Sequence, residues 1–393
     1  MTVTAQPDVA LAGGTIYVSP SEPPIDDGVV LLQGKKIIAV GPRPSLSAYA
    51  AARTIDCTGS TVTSGFWNSH VHFFERKWSD AGSIPPEELS RQLAPFARYG
   101  FTSVFDLSSR WENTRAIRDR IGSGELQGPS IRSTGEGLVP PGGLPAESTL
   151  RALGVMPTPL PEIADATAAT AAARDLLNKG VDGIKVFASG APPSKPRLAR
   201  GAMQAAVREA HLSGKPVFVH PNGADEILDS LHAGVDVIAH TTPGSGPWSE
   251  ALLDAIAERD VAITPTLRLW KHAMRHDRIS LRDRLVEVAV QQLRSWIETN
   301  AIVLFGTDAG AVDLDPTQEY ALMAQAGMNF AQILASLTTS PAQRFGAADA
   351  VGRIAEGYQA DLVVFKGDPL DDIRTLSNVR YTLRAGSILY QST

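Results

Sequence analysis

One pattern dominates the chain between about residue 65 and residue 345: a helical stretch ending in Gly or Asn is followed by a short apolar run. Examples are "FARYG" before "FTSVFDL", "DLLNKG" before "VDGIKVF" and "LHAG" before "VDVIAH". Glycine just past a helix end commonly adopts the left-handed conformation that closes the helix. Short apolar runs bounded in this way are typical of strands buried on both faces of a parallel sheet. Eight such strands, from "GFWNSHVHF" to "AIVLFGTD", predict an α/β chain with a (β/α)8 TIM-type barrel.

The two ends of the chain carry short strand-like segments without a strong helical pattern. Residues 9–40 and 359–391 are divided by turn sequences such as "GG", "QGKK" and "AGS", which are typical of hairpins. Neither end is long enough to form a good core alone. We therefore predict a small discontinuous β-sandwich domain built from residues 1–62 and 350–393, with the barrel domain over residues 63–349 between them.

Composition and charge narrow the class of protein. The net charge of −6 and the pI near 5.8 leave no basic surface for nucleic acid. The single cysteine, Cys57, excludes an internal disulfide framework and fits a reducing compartment. No run approaches the roughly 18 apolar residues of a membrane span, and the N-terminal sequence lacks the pattern of a signal peptide. We expect a cytoplasmic protein without a nucleic-acid or membrane partner.

Side chains that can bind metals end four of the predicted strands. The first strand ends in His70-Val71-His72, the fifth in His220, the sixth in His240 and the eighth in Asp308. Because alternate residues of a strand face the same side, His70 and His72 should point together into the barrel. A single strand-end histidine is more often a hydrogen-bonded core residue, but four of the eight histidines occupy such positions. Imidazole and carboxylate groups at the carboxyl ends of barrel strands predict a metal centre.

A lysine interrupts the apolar run of the fourth predicted strand, "VDGIKVF". Lysine is rarely fully buried without a partner, so Lys185 needs an explanation. One interpretation is that its ammonium group extends past the strand end into water. The other is a role in the metal centre. An ammonium about 4 Å from a divalent ion would be repelled by roughly 8 kcal/mol at an effective dielectric constant of 20, so the lysine would have to lose its charge.

The ordered motifs closely resemble the amidohydrolase superfamily over nearly the whole chain. "GFWNSHVHF" resembles its first-strand H-x-H element, "GIKVF" its lysine strand, "VFVH" and "VIAH" its single-histidine strands, and "LFGTDAG" its eighth-strand aspartate element. The chain is most similar to the branch with prolidase-like and imidazolonepropionase-like hydrolases. It departs from that branch at Asn68, where many relatives are acidic. It also has "SGAPPS" at 189–194, where many prolidase-like members have a double glycine that bears on dipeptide specificity.

The resemblance implies two divalent metal ions, with zinc as the first choice and manganese or cobalt as alternatives. The implied ligands form two sets bridged by an N6-carboxylated Lys185: His70, His72 and Asp308 for one ion, and His220 and His240 for the other. Two such ions lower the pKa of a shared water and polarise a carbonyl group. Asp308 would accept the proton of that water and pass it to the leaving nitrogen. Asp308 and Lys185 are therefore the implied catalytic residues.

The loops after the strands carry the candidate substrate-binding residues, namely Phe73, Trp78, Arg268, Trp270 and His272. Aromatic side chains there, including that of Phe74, would form an apolar pocket, although packing beneath long loops explains them equally well. Arg268 or Arg197 could bind a substrate carboxylate through two hydrogen bonds. His272 and His276 are four residues apart and could form a further metal pair, but a solvated or substrate-facing loop is the simpler interpretation.

The leading functional interpretation is a binuclear hydrolase that uses a metal-bound hydroxide to cleave an amide-type C–N bond. Its substrate would be a small apolar or aromatic amide, N-acyl amino acid, dipeptide or carbamate, and we expect a homo-oligomer. The first alternative is a mononuclear deaminase or cyclic-amide hydrolase in which Lys185 is only structural. Organophosphate or lactone hydrolysis is another. A non-catalytic assembly barrel is disfavoured because such a protein would be free to lose ligands, and this sequence lacks none.

Overall fold

The computed structural model describes residues 6–47, 49–143, 160–190, 196–273 and 278–392. Strands are numbered along the chain. Those outside the parallel sheets are β1 (Val9–Ile16), β2 (Ile25–Gln33), β3 (Lys36–Pro42), β4 (Arg53–Asp56), β5 (Ser60–Ser64), β14 (Leu362–Lys366), β15 (Val379–Arg384) and β16 (Ser387–Gln391). Those of the parallel sheets are β6 (Phe66–Val71), β7 (Phe101–Asp106), β8 (Ser130–Ser133), β9 (Ile184–Phe187), β10 (Val217–His220), β11 (Val237–Ala239), β12 (Ala262–Thr264) and β13 (Ile302–Val303).

Most α-helices of the described residues lie between successive parallel strands, and all are numbered along the chain. They are α1 (Arg43–Leu46), α2 (Pro86–Arg98), α3 (Trp111–Gly122), α4 (Ala166–Lys179), α5 (Arg200–Leu212), α6 (Ala224–Ala233), α7 (Glu250–Ala257), α8 (Arg268–Ala273), α9 (Ile279–Glu298), α10 (Thr317–Gln325), α11 (Phe330–Leu337) and α12 (Thr339–Arg344). Within the part of the chain that the structure describes, none of these helices has the length and apolar character to cross a bilayer.

Glycines end two of the helices where the sequence pattern expects them. Gly180 follows α4 with φ 91°, and Gly234 follows α6 with φ 86°. At this left-handed φ a side chain would be strained, so glycine ends the helix and turns the chain into the next strand. The alternation of helix, glycine and strand is therefore a local property of the sequence.

Strands from both ends of the chain form one mixed sheet in the order β16-β15-β14-β5-β1-β2-β3, with β4 paired to β1. The two ends meet where β14 runs antiparallel to β5, with Leu362 opposite Ser64. Leu362 also shares a buried apolar cluster with Leu11 and Val30. Each end thus supplies core that the other needs. All these strands belong to a single hydrogen-bonded sheet, because β14 pairs with β5 and so joins the strands of the two ends. The second sheet of the predicted sandwich is not shown among the described residues.

The eight strands predicted for the barrel are present as two parallel sheets. One has the order β6-β7-β8 and the other the order β13-β12-β11-β10-β9. At one junction the Leu138 amide donates to the Lys185 carbonyl at 2.8 Å, and at the other the His72 amide donates to the Ala309 carbonyl at 2.7 Å. The α/β class is confirmed, whereas a single continuous barrel ladder is not.

Side chains from both parallel sheets pack together in one apolar cluster. Phe105 of β7 lies 4.7 Å from Phe218 of β10 between ring centroids, and Phe345 contacts both rings. Trp67 and Leu304 belong to the same cluster. The inward faces of the two sheets are therefore filled by this cluster, and the polar residues found further along the strands lie on the carboxyl-end side of it.

Candidate metal centre

The six predicted metal ligands come from five strand ends. His70 lies in β6 and His72 just after it, Lys185 lies in β9, His220 ends β10, His240 follows β11, and Asp308 lies five residues past β13. The four imidazole rings form an arc, in which successive centroids are 5.1 Å apart for His72 and His70, 4.6 Å for His70 and His240, and 4.8 Å for His240 and His220. The structure thus brings together residues that are up to 238 positions apart, from His70 to Asp308.

Asp308 contacts the histidine pair of the first strand. Its Oδ1 atom lies 2.7 Å from His72 Nε2 and 3.2 Å from His70 Nε2. One ligand atom from each of these residues lies within 4.8 Å of the other two, and all three side chains are buried. Two nitrogens and a carboxylate oxygen at this spacing form a donor set that suits zinc and similar divalent ions.

The other ring nitrogen of three histidines is held by the protein. His70 Nδ1 lies 3.2 Å from Thr264 Oγ1, and His240 Nδ1 lies 2.6 Å from Thr266 Oγ1. His72 Nδ1 is hydrogen-bonded to the Leu107 carbonyl, which can only accept. His72 Nε2 faces the Asp308 carboxylate at 2.7 Å, so a proton or a metal ion must lie between these two atoms. Because Nδ1 is held by the Leu107 carbonyl, Nε2 is the atom that His72 can offer to a metal ion, and the donor set fits such an ion.

Lys185 is only 1% exposed, and its Nζ atom has no hydrogen-bond partner among the described residues. The atom lies 5.5 Å from the centroid of the Phe187 ring. Burial lowers the pKa of Lys185 to about 7, although the charge of Asp308 opposes the shift. Burial of an ammonium without a partner is costly, so this side chain favours its neutral amine form.

Burial and mutual contact set the charge of the other ligands. Burial lowers the pKa of His70 to about 4, and burial likewise holds the pKa of His240 well below its ordinary value. Burial alone would raise the pKa of Asp308, but the nearby His70 and hydrogen bonds from His70 and His72 hold it well below its usual range. Near neutral pH His70 and His240 are therefore neutral and Asp308 is ionised, which are the forms that bind metals.

Two of the ligands have strained backbones. His240 has φ 77° and Asp308 has φ 58°, in the left-handed region that residues other than glycine seldom adopt. The Asp308 amide donates to the His70 carbonyl at 2.9 Å, which ties the two segments together. Asn68 links the same segments, because its Nδ2 donates to Thr307 Oγ1 at 2.7 Å and its Oδ1 accepts from the Thr307 amide at 3.1 Å. Such strain persists only where the surroundings impose it and is common at functional sites.

The prediction that Phe73 and Trp78 contact substrate is corrected by their positions. Phe73 is 0% and Trp78 2% exposed, and their rings pack edge to face at 4.9 Å in the main hydrophobic core. Phe73 also contacts Phe96 of α2. Alternation explains the error, because Phe73 points away from the side taken by His70 and His72.

Arg268 is not placed as a free clamp for a carboxylate. Its guanidinium donates to the carbonyls of Asp313 and Asp315 at 3.0 and 2.7 Å and forms an ion pair with the Asp313 side chain. Trp270 is partly buried and donates from Nε1 to Thr241 Oγ1 at 2.8 Å, next to His240 in sequence. His272 is partly exposed on α8. His276 and residues 191–194 of "SGAPPS" lie outside the described residues.

The sequence interpretation missed the residues that support the ligands. Thr264 and Thr266 follow the ordinary pattern of a seventh strand, so no local signal separates them from packing residues. Phe74, one of the loop aromatic residues expected to line an apolar pocket, is two residues past His72 and partly exposed, and its ring lies 4.6 Å from the His72 ring.

Glu319 is the other missed residue. It is 1% exposed on α10, and its carboxylate accepts the backbone amides of Leu267 and Arg268, each at 2.8 Å. These amides directly follow Thr266, the partner of His240. Burial raises the pKa of Glu319 to about 7, against the effect of the two amides.

Comparisons with known proteins identify the family. Residues 61–389 match the amidohydrolase family. Ochratoxinase from Aspergillus niger is 23% identical over 391 residues, which cover 89% of this chain and 80% of that protein, and its crystal structure superposes with a TM-score of 0.79. A Xaa-Pro dipeptidase with bound methionine superposes with a TM-score of 0.82 at 23% identity, over 98% of this chain and 100% of that one. Phenylurea hydrolase B gives 0.75 at 23% identity, over 97% and 96%. The chain therefore belongs to the amidohydrolase family and is a hydrolase of that family.

Proposed function

We propose that this hydrolase cleaves the amide-type C–N bond of a small apolar or aromatic substrate at a binuclear metal centre. The observation that carries the proposal is the Lys185 amine, which is buried beside four histidines and Asp308 and has no hydrogen-bond partner in the described part of the chain. A buried amine in that position has no structural role that methionine or leucine would not fill better. Its presence is explained if the side chain reacts and then binds metal.

Two sets of ligands are proposed for two divalent ions. His70, His72 and Asp308 would hold the first ion, and His220 and His240 the second. Zinc is the proposed metal because neutral imidazole and carboxylate suit it, and manganese or cobalt are alternatives. The proposed setting is a closed (β/α)8 barrel, which the hydrogen bonds between the edges of the two parallel sheets support.

Lys185 would bridge the two sets as a carbamate. The lone pair of its neutral amine would form a bond to the carbon of CO₂ while one C=O π bond breaks and its electron pair moves to oxygen, and the nitrogen would release one proton to water. The product carries one negative charge and two oxygens, enough for one ligand to each ion. The lowered pKa of Lys185 supports this step, because at pH 7 about half of the side chain would be the neutral amine that reacts.

The chain's own groups would then perform the proton transfers. Divalent ions bound here would lower the pKa of water and polarise the scissile carbonyl. Asp308 is ionised and buried, so it can accept a proton from the attacking water and return it to the leaving nitrogen. His70, His72 and His240 hold their orientation through the partners of their Nδ1 atoms, which keeps Asp308 aligned with the histidine pair.

The proposed substrates are small amides, N-acyl amino acids, dipeptides or carbamates with an apolar group. The partly exposed rings of Phe74 and Trp270 support the apolar preference. Among the relatives, the Xaa-Pro dipeptidase is named for a dipeptide and ochratoxinase for ochratoxin. The domain boundaries at 62/63 and 349/350, a homo-oligomeric state and a cytoplasmic location stay predictions from the sequence.

The mononuclear alternative also has an observation in its favour. Only His70, His72 and Asp308 form a compact group of three histidine or acidic ligands among the described residues. In that case the enzyme would be a deaminase or cyclic-amide hydrolase with one ion, and Lys185 would stay unmodified.

Metal content separates the two functions. Purified enzyme is stripped with a chelator and reloaded with Zn²⁺, Mn²⁺ or Co²⁺ in bicarbonate buffer, and then assayed on amides, dipeptides, lactones and organophosphates. We expect about two ions per chain and amide hydrolysis. Lys185→Ala should lose metal and activity, and propionate should partly restore both, whereas the exposed-lysine control Lys35→Ala should behave as wild type. A stoichiometry of one ion, unchanged by Lys185→Ala, would establish the mononuclear alternative.

A further inference from the structure

The arc of imidazoles continues at both ends into a phenylalanine. The Phe74 ring lies 4.6 Å from the His72 ring with an interplanar angle of 30°. At the other end, the Phe187 ring lies 5.3 Å from the His220 ring with an angle of 37°. Six rings therefore follow one another in space in the order Phe74, His72, His70, His240, His220 and Phe187. Each phenylalanine lies beside a ligand of a different proposed metal ion.

Both phenylalanines lie on the side of the chain that carries the ligands. Phe187 follows Lys185 by two residues in β9 and is the direct neighbour of His220 in the parallel ladder. Side chains of paired residues in a parallel ladder project to the same face, so Phe187 and His220 lie side by side. Phe74 follows His72 by two residues and is partly exposed, whereas Phe73 between them is 0% exposed.

The Phe187 ring is fixed in place. It is 6% exposed, and Gly137 lies so close that a Cβ at that position would come within 2.6 Å of Phe187 Cε2. A ring held in this way offers a rigid apolar edge rather than an adaptable one. Fixed aromatic surfaces bind planar apolar groups with little loss of conformational entropy.

We propose that Phe74 and Phe187 are specificity-determining residues, each contacting the substrate group on one side of the scissile amide bond. The preferred substrate would then carry an apolar, ring-sized group on both its acyl side and its amine side. The assignment rests on the proposed amide hydrolysis and adds to it the chemical class of both leaving parts.

The test uses four amides that combine two acyl and two amine groups: N-acetyl-alanine, N-acetyl-phenylalanine, N-benzoyl-alanine and N-benzoyl-phenylalanine. Wild-type enzyme should have its highest kcat/KM on N-benzoyl-phenylalanine. Phe74→Leu should reduce the preference for a ring on one side of the bond by about 2- to 10-fold, the range expected for an aromatic contact. Phe187→Leu should reduce the preference on the other side by a similar factor, and metal content should stay at the wild-type value.

Phe73→Leu is the matched control, since it makes the same substitution at the neighbouring residue that faces the core. It should lower stability without changing the ratios of kcat/KM. The assignment is overturned if Phe74→Leu and Phe187→Leu lower kcat/KM equally on all four amides, or if wild type has no preference for rings. Affinities of the four compounds for Asp308→Asn enzyme, measured by calorimetry, report the same ratios without turnover. Ring-dependent affinity without hydrolysis by wild type would therefore support the assignment while refuting amide hydrolysis.

Discussion

Replacing Lys185 with methionine should stabilise the metal-free protein while abolishing its activity. The side chain is 1% exposed, and its amine has no hydrogen-bond partner among the described residues. In the absence of metal and CO₂, folding must therefore either bury an ammonium or remove its proton. Methionine has a similar length and no charge, so Lys185→Met avoids that cost.

The magnitude follows from the pKa of Lys185, which burial lowers from 10.5 to about 7. In the unfolded chain this lysine binds its proton below pH 10.5, whereas in the folded chain it binds that proton only below about pH 7. The stability of the folded state therefore falls as the pH decreases from 10.5 to 7. At 1.36 kcal/mol per pKa unit the full difference is about 5 kcal/mol, of which about 4 kcal/mol is already lost at pH 7. The advantage of Lys185→Met should shrink to less than about 1 kcal/mol at pH 10.

Urea unfolding of chelator-stripped protein in CO₂-free buffer at pH 7, 8.5 and 10 measures this difference. Comparison of variant and wild type at each pH cancels the contribution of every other titrating group. Lys35→Met, which changes an exposed lysine, is the matched control and should shift stability by no more than about 0.5 kcal/mol at any pH. The reasoning is refuted if Lys185→Met is no more stable than wild type at pH 7, or if its advantage is the same at pH 7 and pH 10.

Three further predictions concern other residues of the site. Asp308→Asn should lower kcat by at least about 100-fold while keeping much of the bound metal, because asparagine can still offer an oxygen but cannot accept the proton. Activity within a few-fold of wild type would exclude the proton-transfer role of Asp308. Metal-free protein should lose up to about 3 kcal/mol of folding stability between pH 6.5 and pH 4 through His70 alone, since the unfolded chain takes up a proton that the buried ring, with its pKa of about 4, does not. His70→Gln should flatten this dependence of stability on pH, and an unchanged slope would contradict the role given to His70. Glu319→Ala should destabilise the fold by about 2 kcal/mol or more, because the amides of Leu267 and Arg268 lose their acceptors. Thermal unfolding that matches wild type would show that water replaces the carboxylate.

Several features of the fold were predictable because they depend on local sequence. Short apolar runs after helix-ending glycines such as Gly180 mark the parallel strands wherever they pair. The candidate ligands His70, His72, His220, His240 and Asp308 could be selected in the same way, since each follows an apolar run by a few residues. Strand-like composition at the two termini likewise indicated that both ends form β structure.

The sequence by itself thus determined which segments are strands and helices and which side chains lie at the strand ends. Tertiary structure alone decided that the terminal strands join through β5 and β14 into one sheet. It alone decided that the Arg268 guanidinium forms an ion pair with Asp313, which is 45 residues further along the chain. It also decided that Phe73 packs against Trp78 while Phe74 lies against His72. The physical reason is that strand and helix formation follow from the spacing of neighbouring residues, whereas these contacts depend on the register between segments far apart in the chain. A change of one residue in that register moves a side chain from the site to the core.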